Sequence, residues 1–181
     1  MLDIRPATPD DAAAILALRH TAEDWLADRG IDQWRPREVP LSVIESQVAA
    51  GEFVVARLRP TDTPLVAAMR LIWSDEPIWL EENAFAGYVH HLVVDRSHSG
   101  RGIGRELLDW AERTTHDAGA SVLRLDCVET NPQLRAYYAR LGFREVGRRE
   151  FRADRWLAVT LFERDVLRRE ECRGTGVHQL R

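Results

Sequence analysis

A run of glycines between a predicted strand and a predicted helix is the first feature of the sequence that could do chemistry. Gly100, Gly102 and Gly104 alternate with larger residues directly after the apolar stretch 89–94. Glycines at this spacing let the backbone curl tightly and leave its N–H groups unshielded by side chains. Three arginines add positive charge nearby: Arg96, Arg101 and Arg105. Because a concave set of N–H groups at a helix N-terminus binds anions, the turn is predicted to hold a phosphate or a pyrophosphate.

The spacing within this turn argues against two common phosphate-binding motifs. The pattern GxxxxGK[ST] needs a lysine, and all 25 basic residues of the chain are arginines. The dinucleotide pattern GxGxxG, started at Gly100, needs a glycine where the chain has Arg105. The run also lies in mid-chain rather than in an opening βαβ unit. A nucleotide- or dinucleotide-binding protein is therefore disfavoured.

A second segment with chemical potential, NPQLRAYYARLGF, covers residues 131–143 and is typical of a short helix. Asn131 is the predicted N-cap, and Pro132 takes the first helical position. Gly142 is predicted to end the helix. Four residues at positions i, i+3, i+4 and i+7 share one face: Leu134, Tyr137, Tyr138 and Leu141. The segment therefore presents two tyrosines on a largely apolar helix face.

Together, the two segments closely resemble motifs A and B of the GNAT superfamily, the acyl-CoA-dependent N-acyltransferases. Motif A reads (Q/R)xxGx(G/A) after a strand that ends in a Val-Asp-like pair, and its GxG corresponds here to Gly102-Ile103-Gly104. Ser99 stands at the Gln/Arg position, which is a departure from the pattern. Motif B commonly reads NxxAxxxYxxxGF and places its tyrosine at Tyr138. The resemblance covers about residues 1–165 and is sharp over 88–108 and 131–143.

The resemblance implies an enzyme that transfers the acetyl group of acetyl-CoA to a primary amine of a small molecule or peptide. It implies direct attack in a ternary complex, with pantetheine lying like an added strand between the fourth and fifth strands. Leu92 and Val94 would offer backbone groups to pantetheine, and the Leu92 N–H would stabilise the oxyanion. Asn131 would point toward the pantetheine arm, and Tyr138 would meet the sulfur as general acid. The residues that would hold the pyrophosphate are Ser99, Gly100, Arg101, Gly102, Ile103, Gly104 and Arg105.

The general base is not fixed by a motif. A free alkylamine has a pKa of about 10.4, so a group in the site must accept a proton before the amine attacks. His90, two residues before Leu92, has an ordinary pKa of about 6.5, and some family members place a base histidine at this point. Strand alternation predicts that His91 lies on the opposite face of the sheet. A hydrogen-bonded core histidine is the alternative for His90, and acidic competitors for the role of base are Glu81, Glu82, Asp126 and Glu129.

The acceptor amine is not specified by any motif. In the family, the first two helices and the loop before the fourth strand shape its pocket. Those segments hold four of the six tryptophans: Trp25, Trp34, Trp73 and Trp79. These rings either line an apolar or cationic-amine pocket or pack in the core. Acidic residues in the same segments either attract an ammonium substrate or are simply solvated; they are Asp24, Asp28, Glu81 and Glu82.

The elements that must position these residues are readable from apolar periodicity. Strands are predicted over 2–5, 53–58, 64–73, 89–94, 122–128, 144–151 and 156–163. Helices are predicted from the cap Thr8 toward Gly30, and over 41–50, 102–118 and 131–142. The implied fold is of the α/β (α+β) class, with a mixed, mostly antiparallel central sheet of about seven strands and helices on both faces. The fourth and fifth strands would be its parallel pair.

Length and composition set the remaining expectations. A chain of 181 residues predicts one domain over 1–165, followed by a flexible tail over 166–181. The net charge of -4 argues against nucleic-acid binding, and two cysteines are too few to suggest a disulfide framework or a metal site. No run of about 18 apolar residues or secretory segment occurs, so no membrane and a cytoplasmic location are expected. Homodimers are common in the family. A non-catalytic acyl-CoA-binding regulatory domain is the alternative function, to which Ser99 is the hint.

Overall fold

Seven strands of the described chain form one mixed sheet in the order β1-β2-β3-β4-β5-β7-β6. The computed structural model describes residues 1–60, 63–80, 84–151 and 156–166. The strands are β1 (Leu2–Pro6), β2 (Phe53–Leu58), β3 (Leu65–Ile72), β4 (Ala86–Val94), β5 (Val122–Val128), β6 (Arg144–Arg149) and β7 (Val159–Asp165). The helices are α1 (Ala12–Ala27), α2 (Leu41–Ala49), α3 (Ile103–Asp117) and α4 (Pro132–Arg140).

The two central strands, β4 and β5, form the parallel pair, and all other neighbours are antiparallel. The parallel register begins at Ala86 opposite Val122 and ends at Val89 opposite Leu125. Beyond these residues β4 continues to Val94 and β5 to Val128 without pairing to each other. The strands therefore diverge and open a gap in the middle of the sheet.

Apolar side chains cover both faces of the sheet. On one face, Leu107 and Leu108 of α3 pack with Met69, Leu123 and Phe162 of the strands. On the other face, a second cluster joins the first two helices to β2, with Ile15, Ile44 and Phe53 among its buried members. Helices on both faces of a mixed, mostly antiparallel sheet confirm the predicted fold class.

Strand β4 carries a bulge near its middle, at His91. Ala68 faces Val93 and Arg70 faces His90, so one residue of β3 lies opposite two residues of β4. His91 takes up the extra length with a φ of 50°, in the left-handed region that side chains rarely adopt. The bulge interrupts the alternation of side chains along the strand.

The bulge makes one sequence prediction wrong, because alternation had placed His90 and His91 on opposite faces. His91 packs edge-on against Phe53 of the α1–α2 cluster. His90 contacts Asp126, whose strand neighbours on either side belong to the α3 cluster. Both histidines therefore lie on the α1–α2 face of the sheet.

Several element boundaries differ from the predicted ones. β4 begins at Ala86 rather than at 89, because Ala86 is the first residue to pair with β5. β7 extends to Asp165, which pairs with Val122, and residues 156–158 precede this strand. Glu81, Glu82, Cys172 and the predicted flexible tail beyond Val166 lie outside the described residues. Among the described helices, none has the length and apolar character needed to span a bilayer.

Candidate active site

A cavity of about 680 Å³ opens where β4 and β5 diverge. Its walls come from both strands, from the α1–α2 connection and from α4. Of the predicted site residues, the structure brings five to this cavity: His90, Leu92, Val94, Asn131 and Tyr138. The divergent strands thus create the space that the predicted pantetheine site requires.

The glycine turn leads into the first turn of α3. Gly100 and Gly102 have φ values of 77° and 80°, and a Cβ atom at either would meet nothing within 4 Å. Backbone conformation, not space, therefore requires glycine at both positions. The N–H of Glu106 donates to the carbonyl of Gly102 at 3.0 Å. The amides of residues 103–105 precede this bond, where helical N–H groups have no intrahelical partner and attract anions.

Ser99 precedes the glycine turn and closes a short backbone turn of its own. Its N–H donates to the carbonyl of Arg96 at 3.2 Å, within a short 3₁₀ turn over Arg96–His98. The carboxylate of Asp95 caps the same turn by accepting the N–H of Ser97 at 2.8 Å. The Ser99 amide is therefore engaged within the chain, and its predicted contact with the pyrophosphate stays a prediction.

The three arginines near the turn have different surroundings. Arg101 is exposed, and Arg105 lies 3.8 Å from the carboxylate of Asp109. Arg96 instead stacks on Trp25 of α1, with its guanidinium carbon 3.7 Å from the ring centroid, and Arg29 lies 4.2 Å from the same centroid. Burial, followed by repulsion from Arg29, lowers the pKa of Arg96. Arg96 therefore ties the start of the turn to α1.

Asn131 is engaged with the chain itself. Its Oδ1 accepts the N–H of Leu134 at 3.0 Å, as predicted for an N-cap, and its Nδ2 donates to Gln33 at 2.8 Å. The hydroxyl of Thr130 donates to the carbonyl of Asp32 at 3.2 Å. These bonds attach the α1–α2 connection to the start of α4. The predicted pantetheine contact of Asn131 stays a prediction and would compete with Gln33.

Tyr137 and Tyr138 stand side by side on α4 with ring centroids 5.5 Å apart. Tyr138 is 6% exposed, packs against Phe143 and Phe162, and borders the cavity. Burial raises its pKa well above the ordinary value, so its hydroxyl keeps its proton at neutral pH. A Cβ placed on Gly104 would lie 2.9 Å from the hydroxyl of Tyr137. Tyr137 therefore lies between the glycine turn and the cavity.

An acid–base cluster surrounds His90. Its Nε2 lies 3.1 Å from Asp75 and its Nδ1 lies 3.7 Å from Asp126. Burial alone would lower the pKa of His90, but the two carboxylates outweigh it and the net shift is upward. Burial raises the pKa of Asp126 to about 6. Asp75 is absent from the sequence predictions because only the folded β3–β4 connection brings it to the histidine.

The structure distinguishes the remaining candidates for the general base by their contacts and their position relative to the cavity. Glu129 forms an ion pair with Arg148 and does not line the cavity. Burial, then the charge of Arg19, lowers the pKa of His91 to about 3, so this ring is neutral. The donor atoms of Asp75, His90 and Asp126 lie within 4.8 Å of one another, close enough for a cation. Because each carboxylate already faces a nitrogen of the histidine, we interpret the cluster as a proton-handling group.

The aromatic residues predicted for the acceptor pocket divide into two groups. Trp25 and Trp34 border the cavity, whereas Trp79 packs in the core against Tyr88 and Trp73 is exposed beside Phe85. Sequence reasoning missed two further aromatic residues of the cavity wall, Phe151 and Trp156, which meet edge-on at 5.1 Å. Of the predicted acidic residues, Asp24 pairs with Arg37 at 2.9 Å.

A gap between two parallel strands, with the first strand leading through a glycine turn into a helix, is the arrangement expected for the class of acyl-CoA-dependent acyltransferases. Residues 18–143 match the family model described as the acetyltransferase (GNAT) family. The chain is 31% identical over 150 residues to the uncharacterized N-acetyltransferase YesJ of Bacillus subtilis, covering 78% of this chain and 81% of YesJ. The chain belongs to the GNAT family, and it is an N-acetyltransferase.

Solved structures agree with this assignment. A GNAT family acetyltransferase from Listeria monocytogenes superposes with a TM-score of 0.73 at 25% identity, covering 91% of this chain and 94% of that one. The Salmonella typhimurium protein yncA, solved with its cofactor acetyl-CoA, has a TM-score of 0.68 at 18% identity over 93% and 95% of the two chains. The second likeness shows a shared fold.

Proposed function

We propose that the enzyme transfers the acetyl group of acetyl-CoA to a primary amine of a small molecule or peptide, by direct attack in a ternary complex with His90 as general base. The observation that carries this proposal is the position of His90, between two carboxylates and facing the cavity that the divergent strands open. A cytoplasmic location and a homodimer stay predictions.

The residues present fit the co-substrate. Beyond Val89 the edge of β4 that faces β5 is free of strand pairing, which suits backbone contacts from Leu92 and Val94 to pantetheine. The amides of residues 100–105 suit the pyrophosphate, because those that open α3 precede its hydrogen-bond ladder. When bound, acetyl-CoA supplies the acetyl thioester. The side chains and solvent around it must then handle two protons at the acceptor nitrogen and one at the sulfur.

The proposed proton steps use three residues. His90 accepts a proton from the ammonium form of the acceptor, directly or through a water molecule, and so frees the nitrogen lone pair. The N–H of Leu92 donates to the oxyanion that forms when nitrogen bonds to the acetyl carbon. Tyr138 gives its proton to the departing sulfur and regains, through solvent, the second proton that the nitrogen loses as the amide forms. The balance is one amide, one thiol and one proton released.

Turnover of an amine panel tests this function. We expect thiol release from acetyl-CoA with at least one class of primary amine among amino sugars, polyamines and peptide N-termini. A chain that is stabilised thermally by CoA but releases no thiol with any acceptor would instead be a non-catalytic acyl-CoA-binding domain. The wild-type chain without acceptor is the control for spontaneous hydrolysis.

We expect metal removal to leave the reaction unchanged. Dialysis against EDTA should alter kcat by less than about twofold, because the proposed chemistry uses proton transfer and backbone donors rather than a Lewis acid. The measurement is thiol release before and after dialysis, with metal-free buffer alone as the control. A large loss that a divalent cation restores would assign Asp75, His90 and Asp126 to a metal instead.

We expect the substitution Trp25→Ala to weaken binding of CoA by about fivefold while kcat stays within twofold. Each stacked arginine contributes about 0.5–1 kcal/mol at an exposed site, and loss of the Arg96 contact frees the start of the glycine turn. Titration calorimetry with CoA and the KM for acetyl-CoA measure the effect. Trp73→Ala is the matched control, since Trp73 lies outside the cavity wall. Equal CoA affinity in both variants would contradict the role of the stack.

A further inference from the structure

We propose that Asp75 is a positioning residue that fixes the tautomer of His90, with the proton on Nε2 and the basic lone pair on Nδ1. This inference rests on the proposed function, in which His90 is the general base. It assigns a task to a residue of the β3–β4 connection and names the atom that receives the proton.

The two carboxylates contact His90 at different distances. Asp75 Oδ2 lies 3.1 Å from Nε2, whereas Asp126 Oδ1 lies 3.7 Å from Nδ1. The shorter distance makes the Asp75 contact the stronger of the two, although its angle lies outside that of a hydrogen bond, so the carboxylate acts on Nε2 through its charge. A carboxylate at one ring nitrogen holds the proton there and leaves the other nitrogen to accept one. The geometry therefore favours Nδ1 as the basic atom.

Asp75 is held firmly enough to do this. Its side chain is buried, and its backbone carbonyl accepts the N–H groups of Ile78 at 3.1 Å and Trp79 at 2.8 Å. The turn that these bonds close places Trp79 in the core, with its ring 5.9 Å from that of Tyr88. Tyr88 precedes His90 by two residues on β4. The carboxylate and the imidazole are thus fixed to the same part of the sheet.

A further set of contacts fixes Tyr88 itself. Its hydroxyl accepts a hydrogen bond from Arg124 at 3.1 Å, and Arg124 also lies over the ring of Trp79 at 4.6 Å. Glu163 of β7 accepts from Arg124 at 2.9 Å. These contacts connect the Asp75 turn to β4, β5 and β7. A carboxylate carried by such a framework keeps its orientation when the cavity fills.

The other charged groups near His90 do not replace Asp75. Arg70 of β3 is engaged with Glu52 at 2.7 Å, and His91 is neutral because burial lowers its pKa to about 3. Asp126 of β5 remains, at the longer distance from Nδ1. An acceptor ammonium that approaches Nδ1 would also approach this carboxylate.

The proton transfer balances with these atoms. An N–H bond of the acceptor ammonium breaks as an N–H bond forms at Nδ1, which gives a neutral amine and an imidazolium. The imidazolium then carries protons on both nitrogens, with Asp75 and Asp126 facing them. When the new C–N bond has formed and the C–S bond breaks, the sulfur takes a proton from Tyr138 and the nitrogen loses its second proton through solvent to Tyr138. His90 then loses the Nδ1 proton to solvent, which is the one proton released.

Nitrogen NMR on the wild-type chain tests the tautomer directly. The chain is labelled with ¹⁵N at its six histidines, and His90 is assigned by the signals lost in His90→Gln. At a pH where His90 is neutral, we expect Nε2 to carry the proton and Nδ1 to be unprotonated. The opposite tautomer would overturn the proposal. This measurement needs no acceptor, so failure of the amine panel leaves it decisive.

Kinetics of Asp75→Asn provide the second test. We expect kcat to fall by about tenfold or more, with KM for acetyl-CoA unchanged, and the acid limb of the pH profile to move about one unit lower. The limb moves down because Asp75 raises the pKa of His90. Asp75→Glu should retain the limb, and Asp117→Asn, at an exposed position of α3, is the matched surface control. A loss of rate with an unmoved limb in a variant that binds CoA normally would reduce Asp75 to a structural residue.

Discussion

The substitution His90→Gln is expected to lower kcat by about 10²- to 10⁴-fold, the range that a positioned general base contributes. Glutamine fills similar space and keeps hydrogen-bonding atoms beside Asp75 and Asp126, but it cannot accept a proton at neutral pH. Affinity for CoA should not change, because the predicted cofactor contacts begin at Leu92. Thiol release at saturating acetyl-CoA, together with a CoA titration, separates the two quantities.

The role of His90 as the base also predicts how the rate changes with pH. The basic form of His90 is lost as pH falls through its pKa, and the two carboxylates raise that pKa above 6.5. We therefore expect the rate of the wild-type enzyme to fall on the acid side from a pH above 6.5. The carboxylate of Asp126, with a pKa of about 6, is lost over an adjacent lower range. The variant should lack the upper of these two transitions.

A second histidine variant is the matched control for His90→Gln. His116→Gln changes a half-exposed histidine of α3 that contacts Asp117 and lies outside the cavity wall. Its rate and pH profile should match those of the wild type. If His90→Gln retains more than about a tenth of the wild-type kcat, the base is another group, and Asp126 becomes the first alternative.

Much of the fold could be predicted from local patterns. Apolar runs located the strands, and Gly102 marked the start of α3 because its φ of 80° suits glycine. The end of β7 was misplaced because its last residue is strand only through pairing with Val122, which is remote in sequence. Pairing partners of this kind carry no local signal.

Features of the candidate site that depend on local backbone conformation could be predicted from the sequence. Contacts between residues that are distant in sequence could not. The turn over residues 100–104 has its signal in three alternating glycines. Asp75 meets His90 only through the β3–β4 connection, and the bulge at His91 arises from the register of two strands. Arg96 lies next to the glycine turn in sequence, and its stacking on Trp25 of α1 could not be predicted from that position. Each of these contacts depends on tertiary packing.

The substitution Tyr138→Phe is expected to lower kcat by about 10²-fold, the lower end of what a general acid contributes. The ring packs against Phe143 and Phe162, so phenylalanine preserves the packing and removes only the hydroxyl. Stability and CoA affinity should therefore stay close to those of the wild type. The departing sulfur would then have to take its proton from water, which slows breakdown of the intermediate.

The neighbouring phenol supplies the matched control for this variant. Tyr137→Phe removes a hydroxyl that lies against Gly104, so it should alter CoA affinity while leaving kcat within about threefold. A loss of kcat in Tyr138→Phe and a change of CoA affinity in Tyr137→Phe would show that the two adjacent tyrosines have different roles. Tyr138 would then be the proton donor at the sulfur, and Tyr137 would support the glycine turn. Equal losses of kcat in both variants would contradict the assignment of Tyr138 as the acid and point to a shared packing role.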